Sequence, residues 1–250
     1  MSNALHSKTR PKLRARLEKI FGRQLIHLSD HGHQDCLDIL RSGCNVSVIF
    51  DIGANIGQSA IKFCVAFPTA RILCFEPVKD TYSYLKRNTA SLEKVSCHSI
   101  AFGSREETAT FYLTEKSLNC SLLRPKITIG TEIIQVQTVD GFADKYDIRA
   151  IDVLKIDTEG YDLEVLKGAN TMLTKNSVGF IIAEVGFHPE DNRHVLFDAV
   201  RSLLSPHGFS LFGIYDQQLE WSGQQRLRYA NACFVNEQYL TNKFPPHLTD

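Results

Sequence analysis

The chain has 250 residues, enough for one sizeable α/β domain and short for two. Its 28 basic and 28 acidic side chains cancel, so no global field favours a nucleic-acid partner, and none is expected. The sequence has no apolar run of about 18 residues for a transmembrane helix and no apolar core of a secretory leader.

Between Lys8 and Arg23 seven basic residues stand against one acid, Glu18, and Leu13, Leu17, Ile20 and Phe21 recur at helical spacing. This predicts a basic amphipathic helix within an N-terminal extension, residues 1–44, that caps the domain, closes over a site or meets an anionic surface. After Cys44 the pattern changes. Ser47–Ile52 reads as a doubly covered parallel strand, and Ile56–Phe67 as a helix stopped by Pro68. A second strand follows over Arg71–Glu76, a second helix over Thr81–Ser91 and a third strand over Val95–Ala101.

Thr108–Leu113 and Glu132–Gln137 read as extra strands flanking the polar stretch Thr114–Thr131, a small β insertion at about residues 108–137. The core pattern resumes with a strand over Ile151–Ile156, a helix over Leu163–Leu173, a strand over Val178–Glu184 and a helix over His194–Leu204. Phe209–Ile214 and Ala232–Val235 complete the chain as an antiparallel pair. Strands alternating with helices predict a Rossmann-like, doubly wound, mostly parallel seven-stranded sheet within a single domain, residues 45–250. The seven cysteines form no C-x-x-C pair and several sit in apolar segments, which argues for reduced thiols and a cytoplasmic setting.

The first strand runs into Asp51-Ile52-Gly53-Ala54-Asn55-Ile56-Gly57, directly before a helix. A glycine-rich turn there lets the backbone approach a ligand and aims helix N-terminal N–H groups at it. Dinucleotide folds use G-x-G-x-x-G, whereas Asn55 occupies the middle position here. Asp51 places a carboxylate where a pyrophosphate would be repelled. S-adenosylmethionine, with an ammonium, a sulfonium and no phosphate, suits the loop better than NAD. Glu76 closes the next strand, before Pro77, where an acid accepts hydrogen bonds from both ribose hydroxyls. Ile100, Ala101 and Phe102 follow the third strand and line an expected adenine pocket. Asp157 and Glu184 end the next two strands.

Three stretches carry a resemblance: Ile49–Ala60 (IFDIGANIGQSA), Phe75–Val78 (FEPV) and Leu154–Ala169 (LKIDTEGYDLEVLKGA). Together with Ser117–Leu123 and Asn231–Asn236 they resemble the FkbM family of methyltransferases over roughly Val48 to Val235. The resemblance implies methylation dependent on S-adenosylmethionine, usually at a hydroxyl oxygen and often on sugars or natural products. Carried over by motif, Asp51, Gly53, Asn55 and Gly57 form the cofactor loop, Ala54 lies within it, Glu76 takes the ribose, and Asp157 and Glu159 belong to the active-site motif.

An alcohol acceptor needs its proton removed at or near the transition state. Asp157, Glu184 and His188 are the candidate bases, and Asn119, Ser121 and Glu159 the candidate contacts to a small-molecule or glycan acceptor. The acids with His188 could also hold a divalent cation, but the metal-free reading is preferred. An NAD(P)-dependent oxidoreductase and a non-catalytic cofactor-binding module remain as alternatives.

Overall fold

The computed structural model describes residues 34–113, 122–123, 128–191, 193–219 and 226–243. The expected basic helix, and Asn119 and Ser121 of the polar stretch, lie outside the described residues. In chain order the elements are α1 (Gln34–Arg41), β1 (Val48–Ile52), α2 (Gln58–Ala66), β2 (Arg71–Phe75), α3 (Lys79–Thr89), β3 (Val95–His98), β4 (Ala101–Phe102), β5 (Glu107–Leu113) and β6 (Gly130–Gln137). There follow α4 (Val139–Lys145), β7 (Ile151–Ile156), α5 (Asp162–Lys167), α6 (Asn170–Thr174), β8 (Val178–Gly186), β9 (Val195–Leu196), α7 (Phe197–Leu204), β10 (Phe209–Leu219), β11 (Leu227–Asn236) and α8 (Glu237–Lys243).

The main sheet runs β10-β11-β8-β7-β1-β2-β3, with the short β9 added beside β8 as an eighth strand. From β3 to β8 the pairs are parallel, and β11 joins antiparallel to both β8 and β10. Strand parity splits the core in two. Ile49, Val153 and Phe180 lie in register across one face, and Phe50, Leu154 and Ile181 across the other, all at 0–1% exposure. Both faces are therefore covered, which explains the unbroken apolar runs of these strands.

The insertion strands β5 and β6 form a separate three-stranded sheet with β4. The expected third strand accordingly ends at His98, because Ala101 and Phe102 pair with Val136 and Gln137 of the second sheet.

The helix expected over Leu163–Leu173 is broken in two. A Cβ on Gly168 would stand 2.1 Å from the Gly103 carbonyl oxygen, so helix and loop touch backbone to backbone. Asp140 stabilises the break: its N–H donates to the Gly168 carbonyl, and its carboxylate accepts the N–H groups of Thr171 (2.7 Å) and Met172 (3.0 Å). Those two donors open α6 and would otherwise lack partners. The helix expected from His194 begins only at Phe197, since Val195 and Leu196 pair with Val185 and Gly186. Among the described residues no helix is long and apolar enough to cross a membrane, and none of their six cysteines is in a disulfide.

Candidate active site

Strand order reverses between β1 and β7, and a crevice opens there at the carboxyl ends of the strands. Gly53, Ala54 and Asn55 line it from the first loop, and Glu76 and Pro77 from the end of β2. Ile100, Ala101 and Phe102 line it after β3, and Asp157 and Glu159 after β7. The cavity encloses about 250 Å³, near the lower end for small-molecule sites. Thr158, Tyr161 and Lys155 from the β7 side, Asn231 from β11, and Phe111 and Leu122 from the insertion complete much of the wall. None of these six was singled out from the sequence as a site residue.

Four candidates stand elsewhere. Asp51 is fully buried behind the wall. Gly57 caps α2 at φ +97° and faces Thr89 and Leu85 of α3. Glu184 sits on β8 opposite Asn231, bonded to His194 rather than lining the cavity. His188 also falls outside the wall, and its carbonyl accepts the Asp191 N–H. At this edge the ring of His194 lies between Asp191 (2.8 Å) and Glu184 (3.2 Å) and stacks on Tyr229 at 4.3 Å. Burial opposes its charge, but the two carboxylates outweigh that and hold its pKa above the ordinary imidazole value. No local sequence signal singles it out, because its partners come from β8 and the following loop.

The first loop does not aim its donors at a ligand. The N–H groups of Gly53 and Ala54 both donate to the Phe75 carbonyl at 3.0 Å, that of Gly57 to the Ala54 carbonyl, and that of Asn55 to Glu76 Oε2. These four donors are spent within the protein, so they cannot cradle a pyrophosphate. What faces the cavity is instead a carboxylate. Glu76 is 7% exposed, and burial pushes its pKa up to about 7 against the N–H bonds from Val78 and Asn55.

Lys155 is the residue that the sequence reading missed most. It lies in register with Asp51 across β7 and β1, and two residues before Asp157 on the same strand face. Its ammonium stands 3.3 Å from Asp51 and 3.2 Å from Asp157. Burial pulls its pKa down, but Asp157 and Asp51 more than offset this and hold it charged. K-I-D and D-I-G share a parity that, once β1 and β7 are known to pair, places the three groups together.

Glu159 adopts φ +52°, a left-handed conformation rare for a residue with a Cβ. Arg193 donates to its carboxylate at 3.1 Å. Burial raises the Glu159 pKa to about 7, with Arg193 pulling the other way. Asp162, 1% exposed and bonded to the Thr158 hydroxyl, is also raised to about 7 by burial, reinforced by Asp157. Among the described residues no group of three or more His, Cys, Asp or Glu side chains has the geometry to hold a metal ion.

A family model described as the methyltransferase FkbM domain matches residues 51–211. Curated methyltransferases are among the proteins similar to the chain. The hexuronic acid methyltransferase AglP of Haloferax volcanii is 28% identical over 67% of this chain and 69% of its own length. The 2-O-methyltransferase NoeI of Sinorhizobium fredii is 25% identical over 51% of this chain, a match that spans 59% of that enzyme. The methyltransferase sdnD of Sordaria araneosa is 26% identical over 76% of this chain and 82% of its own length.

Proposed function

The chain belongs to the FkbM methyltransferase family and is a methyltransferase dependent on S-adenosylmethionine, and on that premise we propose that it methylates a hydroxyl oxygen of a sugar or glycan. The oxidoreductase alternative falls with the family assignment. The observation that carries the site reading is the loop whose N–H groups are spent internally while carboxylates face the cavity. Such a loop offers phosphate no cradle of N–H groups, and the carboxylates suit a cation with ribose hydroxyls. The residues present therefore fit the cofactor.

In this reading Glu76 accepts the ribose hydroxyls. Ile100, Ala101 and Phe102 form the apolar wall for the adenine. Asp157, with one oxygen on Lys155 and its side chain 38% exposed, holds the cationic amino-acid end. Bound S-adenosylmethionine supplies an electrophilic methyl group. The chain's own task is to align the acceptor oxygen and take its proton. With Glu76 and Asp157 given to the cofactor, Glu159 is the remaining carboxylate that combines a place in the cavity wall with a pKa near neutrality, so we assign the base to Glu159 rather than to Asp157, Glu184 or His188. Support for a sugar acceptor comes from the names of the two relatives, one acting on hexuronic acid and one a 2-O-methyltransferase.

The test is transfer of radiolabelled methyl from S-adenosylmethionine to three probes: a methyl glucuronide, a neutral methyl glycoside and a phenol. Label on a sugar hydroxyl supports the reading. Label confined to the phenol, or cofactor binding with no transfer to any sugar in a wider glycan panel, overturns it.

A further inference from the structure

Asp51 presents a puzzle. It is 0% exposed, lies behind the cavity wall, and neither carboxylate oxygen has a hydrogen-bond partner of good geometry among the described residues. A carboxylate so placed is costly unless a charge compensates it. Lys155 supplies that charge from 3.3 Å, but the same ammonium also stands 3.2 Å from Asp157. One cation is thus shared almost equally by two acids, of which only Asp157 reaches the cavity. If Asp51 lost its charge, Lys155 would be left wholly to Asp157 and would cancel its attraction for any cationic ligand.

We propose that Asp51 governs cofactor affinity without touching the cofactor: by sharing Lys155 it keeps the Asp157 carboxylate negative toward a cationic group. Asp51 is then a positioning residue that acts through Lys155, and the Asp51–Lys155–Asp157 array presents one net negative charge. This rests on the reading that Asp157 meets the amino-acid end of S-adenosylmethionine. Burial pushes the Asp51 pKa up; Lys155 and, more weakly, Lys62, which lines the cavity beyond, pull it back toward the ionised form. The register of β1 with β7 makes the array rigid, because Asp51 and Lys155 are locked opposite one another by the strand ladder.

The experiment is calorimetric titration of S-adenosylmethionine into the wild-type chain, Asp51→Asn, and the double variant Asp51→Asn/Lys155→Met, with ligand-free thermal unfolding of each. Asp51→Asn is expected to bind at least tenfold more weakly than wild type. The double variant is expected to bind more tightly than Asp51→Asn, since Asp157 recovers its charge once Lys155 is gone. A purely structural role for Asp51 predicts the opposite, with the two losses accumulating, and that result overturns the proposal. So does wild-type affinity in Asp51→Asn. Should Asp51→Asn fail to fold, Lys155→Met decides alone: binding tighter than wild type supports the proposal, and unchanged or weaker binding overturns it. Failure of the wild-type chain to bind S-adenosylmethionine would instead sink the cofactor reading itself.

Discussion

Gly53 and Asp157 touch backbone to backbone: a Cβ on Gly53 would lie 1.9 Å from the Asp157 carbonyl oxygen. The contact joins the loop after β1 to the loop after β7, and the Asp157 N–H donates to the Ile52 carbonyl beside it. Gly53 also needs φ +75°. Gly53→Ala must therefore push the two loops apart as well as accept left-handed backbone, which alone costs about 1–2 kcal/mol. Thermal unfolding should show a loss of at least about 2 kcal/mol, and calorimetry should show cofactor affinity reduced more than tenfold. Wild-type behaviour in both would mean the loops are not held at this separation.

A second prediction concerns the far end of the sheet. Asp152 accepts the N–H groups of Ser47 and Val48 at 2.8 Å on one oxygen, and the Tyr239 hydroxyl and Lys243 ammonium on the other. It thereby ties α8 to the start of β1. Tyr239→Phe leaves the buried Asp152 short of a donor and should cost about 1–3 kcal/mol in denaturant unfolding, with cofactor affinity unchanged. Reduced affinity at unchanged stability would show instead that this end of the sheet communicates with the site.

Most of the sheet was legible in the sequence because each inner strand is buried on both faces and reads as an apolar run. The boundaries failed where a tertiary contact overrode local pattern. Leu163–Leu173 carries helical periodicity throughout, and only the Gly168–Gly103 contact and the Asp140 cap, distant in sequence, interrupt it. The cofactor motifs were readable because D-I-G-A-N-I-G and F-E-P are local. Lys155 was not, since a lysine inside an apolar strand acquires meaning only when Asp51 is placed opposite it. His188 drew attention as the histidine nearest the end of β8. His194 holds the charged contacts because the loop folds back to bring Asp191 and Glu184 to one ring.

His194 yields a pH-dependent prediction. Its folded pKa is raised above the ordinary 6.5, so its stabilising pairing is fully present below that value and lost as pH rises through the folded pKa. His194→Gln should accordingly cost more at pH 6 than at pH 9. With the side chain 2% exposed between two carboxylates, the loss at pH 6 should be about 3 kcal/mol. Chemical denaturation of both proteins at both pH values gives the comparison. An equal cost at the two would mean that the ring stays neutral and contributes through its packing on Tyr229.

Glu76 supplies the prediction closest to the cofactor. Its folded pKa of about 7 lies above the ordinary 4.5 because burial penalises the ionised form. The ligand-free protein therefore holds a proton there that the unfolded chain has already lost, and Glu76's contribution to stability declines as pH rises from 4.5 to 7. Ribose hydroxyls donating to Glu76 favour the ionised carboxylate and pull its pKa back down. Binding of S-adenosylmethionine should thus expel a proton below neutrality and tighten between pH 5.5 and 7.5. Glu76→Gln should flatten that dependence and bind about tenfold or more weakly, because an amide cannot accept both hydroxyls on two oxygens. Calorimetry in buffers of different ionisation enthalpy reads the expelled proton directly. A pH-independent wild-type affinity would move the ribose contact away from Glu76, and proton release that persists in Glu76→Gln would place the titrating group at Glu159 or Asp162, the other acids raised to about 7 at this edge.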